Sequence, residues 1–139
     1  MYRWLVRMMI RSSIRKHRAG DVEGVMKAYA KDVHFVFPGN NSWATDTRDK
    51  TALERWLKRF HAAGLRLEVH DILVGGPPWN TRVCVQFTDH ARDADGRVVY
   101  ENTGVIYGKA RWGKICDYTV FEDTEKVAAF DAYLEKVGT

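Results

Sequence analysis

The run from Gly20 to Gly39, GDVEGVMKAYAKDVHFVFPG, constrains the fold more tightly than any other stretch of the chain. Asp21 carries a short acceptor side chain suited to a helix N-cap. Val22, Val25, Met26 and Tyr29 recur at the spacing of one helical face, which predicts a helix of about two turns over 22–30. A β-rich segment, Val33 to Phe37, follows at once and is stopped by Pro38-Gly39. A helix this short cannot stand alone, so the strand and helix must be packed by elements elsewhere in the chain.

Those elements are readable. Residues 2–18 fit a helix with Arg3, Arg7, Arg11, Arg15 and Arg18 on one stripe. Tyr2, Leu5, Val6, Met9, Ile10 and Ile14 lie opposite, and Ser13 and His17 fall within that apolar arc. A loop from Asn40 to Arg48 holds Trp43 and leads to a helix over 50–63. Leu53, Trp56, Leu57 and Phe60 are its apolar face, Glu54 and Lys58 an i,i+4 pair, and Gly64 its stop. Four strands follow. Residues 65–74 alternate and change phase near Asp71, predicting a bulge. Residues 79–90 alternate as Val83, Val85 and Phe87 against Arg82, Gln86 and Thr88. Asp95-Gly96 predicts a hairpin turn into a long strand over 97–111, and Trp112-Gly113 a second turn into 114–122. A helix over 124–137 ends the chain, with Val127, Phe130 and Leu134 inward. The expectation is an α+β fold of one domain, residues 1–139, with helices covering one face of a curved, mainly antiparallel sheet.

Charge separates along the sequence. The formal net charge is +4, yet the first 20 residues hold six basic side chains and no acid, while the remainder holds 16 basic and 18 acidic. An arginine-rich, acid-poor amphipathic start has three readings: a solvated face of the first helix, a transit peptide, or a helix that lies on a membrane surface. Arginines interrupt every apolar run that a signal peptide would need, and no stretch approaches the roughly 20 apolar residues of a membrane span. Cys84 and Cys116 lack CxxC-type spacing and read as small buried hydrophobes, consistent with a reducing, cytoplasmic location. The five histidines are scattered without metal-ligand spacing, no glycine-rich phosphate loop occurs, and basic–aromatic interleaving follows core spacing. Metal, cofactor and nucleic acid are therefore not expected.

The element order, with the short patterns Gly20-Asp21, Tyr29-Ala30-Lys31-Asp32-Val33, Phe37-Pro38-Gly39 and Gly113-Lys114-Ile115, resembles the nuclear transport factor 2-like superfamily and its SnoaL-like branch of polyketide cyclase and ketosteroid isomerase relatives. The resemblance implies a cone-shaped, cystatin-like α+β barrel, a small-molecule cavity between helices and sheet, and a homodimer through the outer sheet face. It does not carry ketosteroid isomerisation across. The position of the isomerase carboxylate base is Phe37, that of its oxyanion-hole tyrosine is Ser13, and that of its protonated aspartate falls near Ile106. The inward Arg-x-Asp pair of limonene epoxide hydrolases is missing as well.

Strand parity then selects the groups that face the cavity. Ile106, Gly108 and Ala110 face inward, and counting back by twos adds Tyr100, Asn102 and Gly104, the last leaving room for a ligand. Cys116, Tyr118 and Val120 face inward on the final strand, leaving Asp117 outside. Asp89 shares a face with Phe87 and is expected at the cavity rim. The expected acid/base groups are His17 and Asp89. The expected ligand contacts are Ser13, Phe37, Trp43, Trp56, Phe60, Trp79, Phe87, Tyr100, Asn102, Ile106 and Tyr118, with Trp43 and Trp79 read as lids or as loop plugs. The ligand expected is small and largely apolar or carbonyl-bearing. An isomerase, cyclase or hydratase is one reading, and a non-catalytic ligand-binding or dimerisation module the other.

Overall fold

The computed structural model describes residues 2–138. Four helices, α1 (Tyr2–Arg18), α2 (Val22–Met26), α3 (Lys50–Ala62) and α4 (Thr124–Lys136), accompany six strands. These are β1 (Tyr29–Phe37), β2 (Thr45–Thr47), β3 (Arg66–Gly75), β4 (Thr81–Arg92), β5 (Val98–Arg111) and β6 (Lys114–Glu122). The strands form one sheet in the order β2-β1-β6-β5-β4-β3, antiparallel throughout except for the parallel β1–β6 pair. β3 to β6 are the expected meander, and the β3 bulge falls between Val69 and Asp71. α1 packs beside β3, α3 on β1, and α4 on β5.

Local chemistry sets most boundaries. Asp21, Asp49 and Asp123 each accept a backbone N–H of the helix they precede, supplying partners for amides that no helical carbonyl can reach. Glu54 and Lys58 pair at 3.5 Å on α3, and Gly64 ends that helix at φ 75°. One boundary differs from expectation. α2 stops at Met26, and the chain is extended from Tyr29 onward, so Tyr29 belongs to β1. The Ile115 amide donates to the Ala28 carbonyl at 2.8 Å, and Tyr29 pairs with Ile115, so β6 captures these residues from the helix. A short strand, β2, also occupies part of the predicted Asn40–Arg48 loop, paired to the end of β1.

The main core lies between the concave sheet face, α3 and α4. Phe35, Leu53, Leu57, Val33 and Phe87 are fully enclosed there. A smaller cluster of Val6, Ile72, Val74 and Val85 joins α1 to the outer part of the meander. α1 is less buried than its pattern predicts: Leu5 and Met9 are exposed, and Val6 alone is fully buried. The apolar arc of α1 is wider than the strip of sheet it covers. On the outer sheet face, Tyr107 and Phe121 are exposed, and His34 bridges Asp46 at 2.5 Å and Asp117 at 3.7 Å.

Candidate functional site

A cavity of about 340 Å³ lies between α1, α2 and the lower half of the meander. Its walls are built from the inward residues of each element: Val6, Ile10 and Ile14 from α1, Val83 and Val85 from β4, and Ile106, Gly108 and Ala110 from β5. Gly108 and Ala110 supply little side chain, and that is what leaves the space open. The polar residues of the lining include Ser13, His17, Tyr29 and Tyr118 together with Lys16, Lys27, Lys109 and Lys114, and no carboxylate of the meander belongs to it.

His17, Tyr29 and Tyr118 are neutral in the fold. His17 packs against the rings of Phe60 and His61, with centroids at 5.1 and 4.8 Å. Burial, with His61 adding to it, lowers its pKa to about 4. Tyr29 and Tyr118 meet edge to face at 5.6 Å. Burial raises both, Tyr118 to about 12, so Tyr118 stays a protonated hydrogen-bond donor. On the far side of His17 a second opening of about 240 Å³ is lined by His17, Arg18, His61 and Arg66. His61 is itself lowered, by burial and then by Arg66.

The polar residues expected to converge on one cavity are split between two places. Ser13, His17, Ile106 and Tyr118 line the open cavity. Asp89, Tyr100 and Asn102 lie four to six residues beyond it along β4 and β5, in a separate cluster completed by Glu122. Asp89 is 2% exposed, not at a rim. The Tyr100 hydroxyl donates to Glu122 Oε2 at 2.9 Å, and Asn102 Nδ2 donates to Tyr100 Oη and to the Asp123 carbonyl, both at 3.0 Å. Thr103 N–H donates to Asn102 Oδ1 at 2.9 Å. Two features seal this end. The Phe130 ring of α4 stacks on Tyr100 at 4.6 Å. The Phe87 ring lies over Gly104, so close that a Cβ there would come within 2.8 Å of its Cζ. The space at Gly104 is thus filled by Phe87 and is no ligand space.

Sealing dictates the protonation of the cluster. Burial, then the charge of Glu122, raises the Asp89 pKa far above the carboxylate range, and burial raises Glu122 too, opposed by its hydrogen bonds from Tyr100 and Asp89. Two carboxylates in contact cannot both be charged here. Burial raises both, so the pair holds a proton between them, and Glu122 also accepts from Tyr100. Asp89 Oδ1 is buried and takes no hydrogen bond from any described residue, as a neutral acid tolerates better than a carboxylate.

The aromatic contacts expected of the ligand are mostly structural. Phe37, Trp43, Trp56 and Phe60 interlock between β1 and α3, with Trp56 ring centroids 5.0 Å from Phe37 and 5.7 Å from Trp43, and none lines the cavity. Trp43 is a plug: Trp56 Nε1 donates to its carbonyl at 2.9 Å, and the Arg59 guanidinium sits 3.9 Å from its ring centroid. Phe87 is core. Trp79 is exposed and stands beside Trp112 on the surface, outside the lining. Glu122, a candidate acid/base carboxylate from the sequence with Asp89 and Asp117, shares strand parity with Cys116, Tyr118 and Val120, and the structure sets it against Tyr100. Tyr29 was hidden by its reading as a helix residue.

Comparisons with known proteins agree with this architecture. Residues 10–118 match the SnoaL-like domain. Among solved structures, an NTF2-like protein of unknown function from Burkholderia pseudomallei superposes with a TM-score of 0.74 at 18% identity, over 88% of this chain and 93% of that one. TerC, co-crystallised with polyporic acid, gives 0.72 at 20% identity, over 96% and 98%. A protein of unknown function with a cystatin-like fold from Xanthomonas campestris gives 0.71 at 19% identity, over 91% and 97%. No curated protein matches the sequence. The fold, the cavity between helices and sheet, and the match over most of the chain lead to one assignment: the chain belongs to the SnoaL-like domain family, within the NTF2-like fold.

Proposed function

We propose that the chain is a single small-molecule-binding domain whose cavity takes a largely apolar ligand carrying one carbonyl or phenolic oxygen. One observation carries this reading: a cavity of about 340 Å³ with largely aliphatic walls, no carboxylate in its lining, and Lys16, Lys27, Lys109 and Lys114 among its polar residues. Tyr118, its hydroxyl neighboured by Tyr29, donates to the ligand oxygen, and neutral His17 accepts from or donates to a second polar atom. The crystallisation of the structurally similar TerC with polyporic acid is consistent with a small organic ligand.

Binding is supported further than catalysis. The two carboxylates that could act as acid and base are sealed behind Phe87. The burial that keeps His17 neutral also makes it a weak base, since a group with a pKa of about 4 holds a proton poorly. The second reading, an isomerase, cyclase or hydratase working through His17, has one observation in its favour: His17 also borders the polar opening at His61, a route for its proton to solvent.

A thermal-shift screen of apolar ketones, quinones and phenols tests the binding reading. A compound at about 100 times its Kd should stabilise the fold by about 2.7 kcal/mol. Tyr118→Phe should weaken the oxygen-bearing hits about tenfold, the worth of one hydrogen bond, and leave hydrocarbons of the same shape unchanged. A screen in which only charged, polar compounds shift the protein would overturn it. Turnover of a bound ketone that disappears in His17→Gln would establish the enzymatic reading.

A further inference from the structure

The cavity opens beside a surface that its ligand does not explain. α1 buries a narrow stripe, and its opposite side exposes Trp4, Leu5, Met8 and Met9, each with about half or more of its surface in solvent. Arg3, Arg7, Arg11 and Arg15 run alongside that arc at intervals of four, and the helix contains no acid. The patch does not end with the helix. Met9 Cε approaches the β5–β6 turn, lying 3.4 Å from where a Cβ on Gly113 would be. Trp112 of that turn donates its N–H to the Pro78 carbonyl at 2.8 Å, tying it to the β3–β4 turn. The rings of Trp79 and Trp112 stand 6.1 Å apart at the tips of these two turns, both mostly exposed. Tyr2 closes the set, its hydroxyl bonded to Thr81 Oγ1, which in turn donates to Pro77 O. Tyr2, Met9 and Gly113 also line the cavity, so this patch borders it.

We propose that this end of the molecule docks on an anionic lipid bilayer. α1 then lies in the headgroup plane, with Trp4, Leu5, Met8 and Met9 at the acyl boundary and its arginines on lipid phosphates. The two tryptophan turns anchor the second edge, and the cavity wall made by Tyr2, Met9 and Gly113 lies against the membrane. The chemistry matches that occupant on three counts. An amphipathic helix with an arginine-rich flank and a Trp–Met–Leu face is built to lie at an interface. Tryptophan prefers the headgroup level, where its ring is apolar and its N–H is wet. No described helix is long and apolar enough to cross a membrane, so the contact is peripheral. A second copy of the chain fits less well, because a two-fold contact through this face would bring the two arginine stripes together. This inference does not depend on which ligand fills the cavity.

The test uses the full chain with vesicles of phosphatidylcholine alone and of phosphatidylcholine mixed with about one-third phosphatidylglycerol. The protein should sediment with the anionic vesicles only, with a blue shift of tryptophan emission, and should be released as salt is raised. Each arginine should contribute about fivefold, so R3Q/R7Q/R11Q should bind on the order of a hundredfold more weakly. W4S/M8S should lose the blue shift on vesicles while keeping the wild-type melting temperature, since both side chains are exposed. Equal binding to neutral vesicles, or wild-type affinity in the triple arginine variant, would overturn the proposal. So would a dimer in light scattering that W4S/M8S converts to monomer, which would assign the face to a second copy.

Discussion

The two ends of the concave sheet face are made from the same three strands and differ in what closes them. At the α1 end, Val85, Ile106 and Tyr118 border open space. Four residues further along the same strands, about 13 Å away, Asp89 and Asn102 are buried and Glu122 half-buried at the end that α4 closes. The open end sets a few polar side chains, lysines among them, in a largely apolar wall. The closed end holds the carboxylates, hydrogen-bonded within the protein. Polar residues in such a barrel are therefore poor guides to its binding site until the covering helices are placed. The most polar inward cluster is the one a ligand cannot reach.

Phe87 is the partition between the two ends, and removing it is the strongest way to break the distinction. Phe87→Ala should cost about 3–5 kcal/mol, the usual penalty for deleting a buried aromatic ring, read from urea denaturation. It should also let water reach Asp89 and bring its pKa down toward the ordinary range, measurable by carboxyl NMR titration. A loss below about 1 kcal/mol, or an unmoved Asp89, would show that the partition lies elsewhere.

The ends should also respond to pH in opposite directions. The folded pKa of His17 is lowered to about 4 from 6.5, so the unfolded chain binds its proton more readily between those values. The stability that His17 contributes is present above 6.5 and lost as the pH falls toward 4. Asp89 is raised, so the folded chain binds the extra proton. Its contribution is full below the ordinary carboxylate pKa of 3.8 and declines as the pH rises through neutrality. Between 4 and 6.5 the two slopes oppose each other. Above 6.5 only the decline remains, at no more than about 1.4 kcal/mol per pH unit. Asp89→Asn should flatten that decline while His17→Gln leaves it and removes the acid-side slope. Identical pH profiles for Asp89→Asn and wild type would mean that Asp89 is ionised and solvated.

The sequence was most informative where periodicity alone decides the outcome. The four long strands, the bulge near Asp71, the Asp21 cap, the Gly64 stop and the inward facing of Asn102, Gly104 and Tyr118 all follow from period-two alternation and from cap and turn chemistry. The start of β1 was not legible, because Tyr29 suits a helix face and only its pairing with Ile115, 86 residues later, selects the strand. Nor was the division of the site. Parity states which face a side chain takes, not which helix will cover it, and α4 arrives from the far end of the chain to bury Tyr100. Leu5 and Met9 of α1 show the reverse error: an apolar pattern was read as burial where it marks an exposed face.

Asn102 gives the smallest effect and the sharpest separation of the two ends. Its amide nitrogen serves Tyr100 Oη and the Asp123 carbonyl, and its oxygen takes the Thr103 amide. Asp123 is also the N-cap of α4, accepting from Glu125 and Lys126. Asn102 therefore fastens β5 to the helix that closes this end, and it does so with its hydrogen-bonding capacity largely spent on protein. Asn102→Ala leaves the Asp123 carbonyl and the Thr103 amide without these partners and should cost about 1–3 kcal/mol. Ligands that stabilise the wild-type chain should bind the variant with unchanged Kd, because none of the groups disturbed borders the open cavity. Tyr118→Phe should show the inverse pattern, with little change in stability and weaker binding. A folded Asn102→Ala variant that no longer binds those ligands would mean that the cavity reaches past Phe87 in solution, joining the two ends into one site.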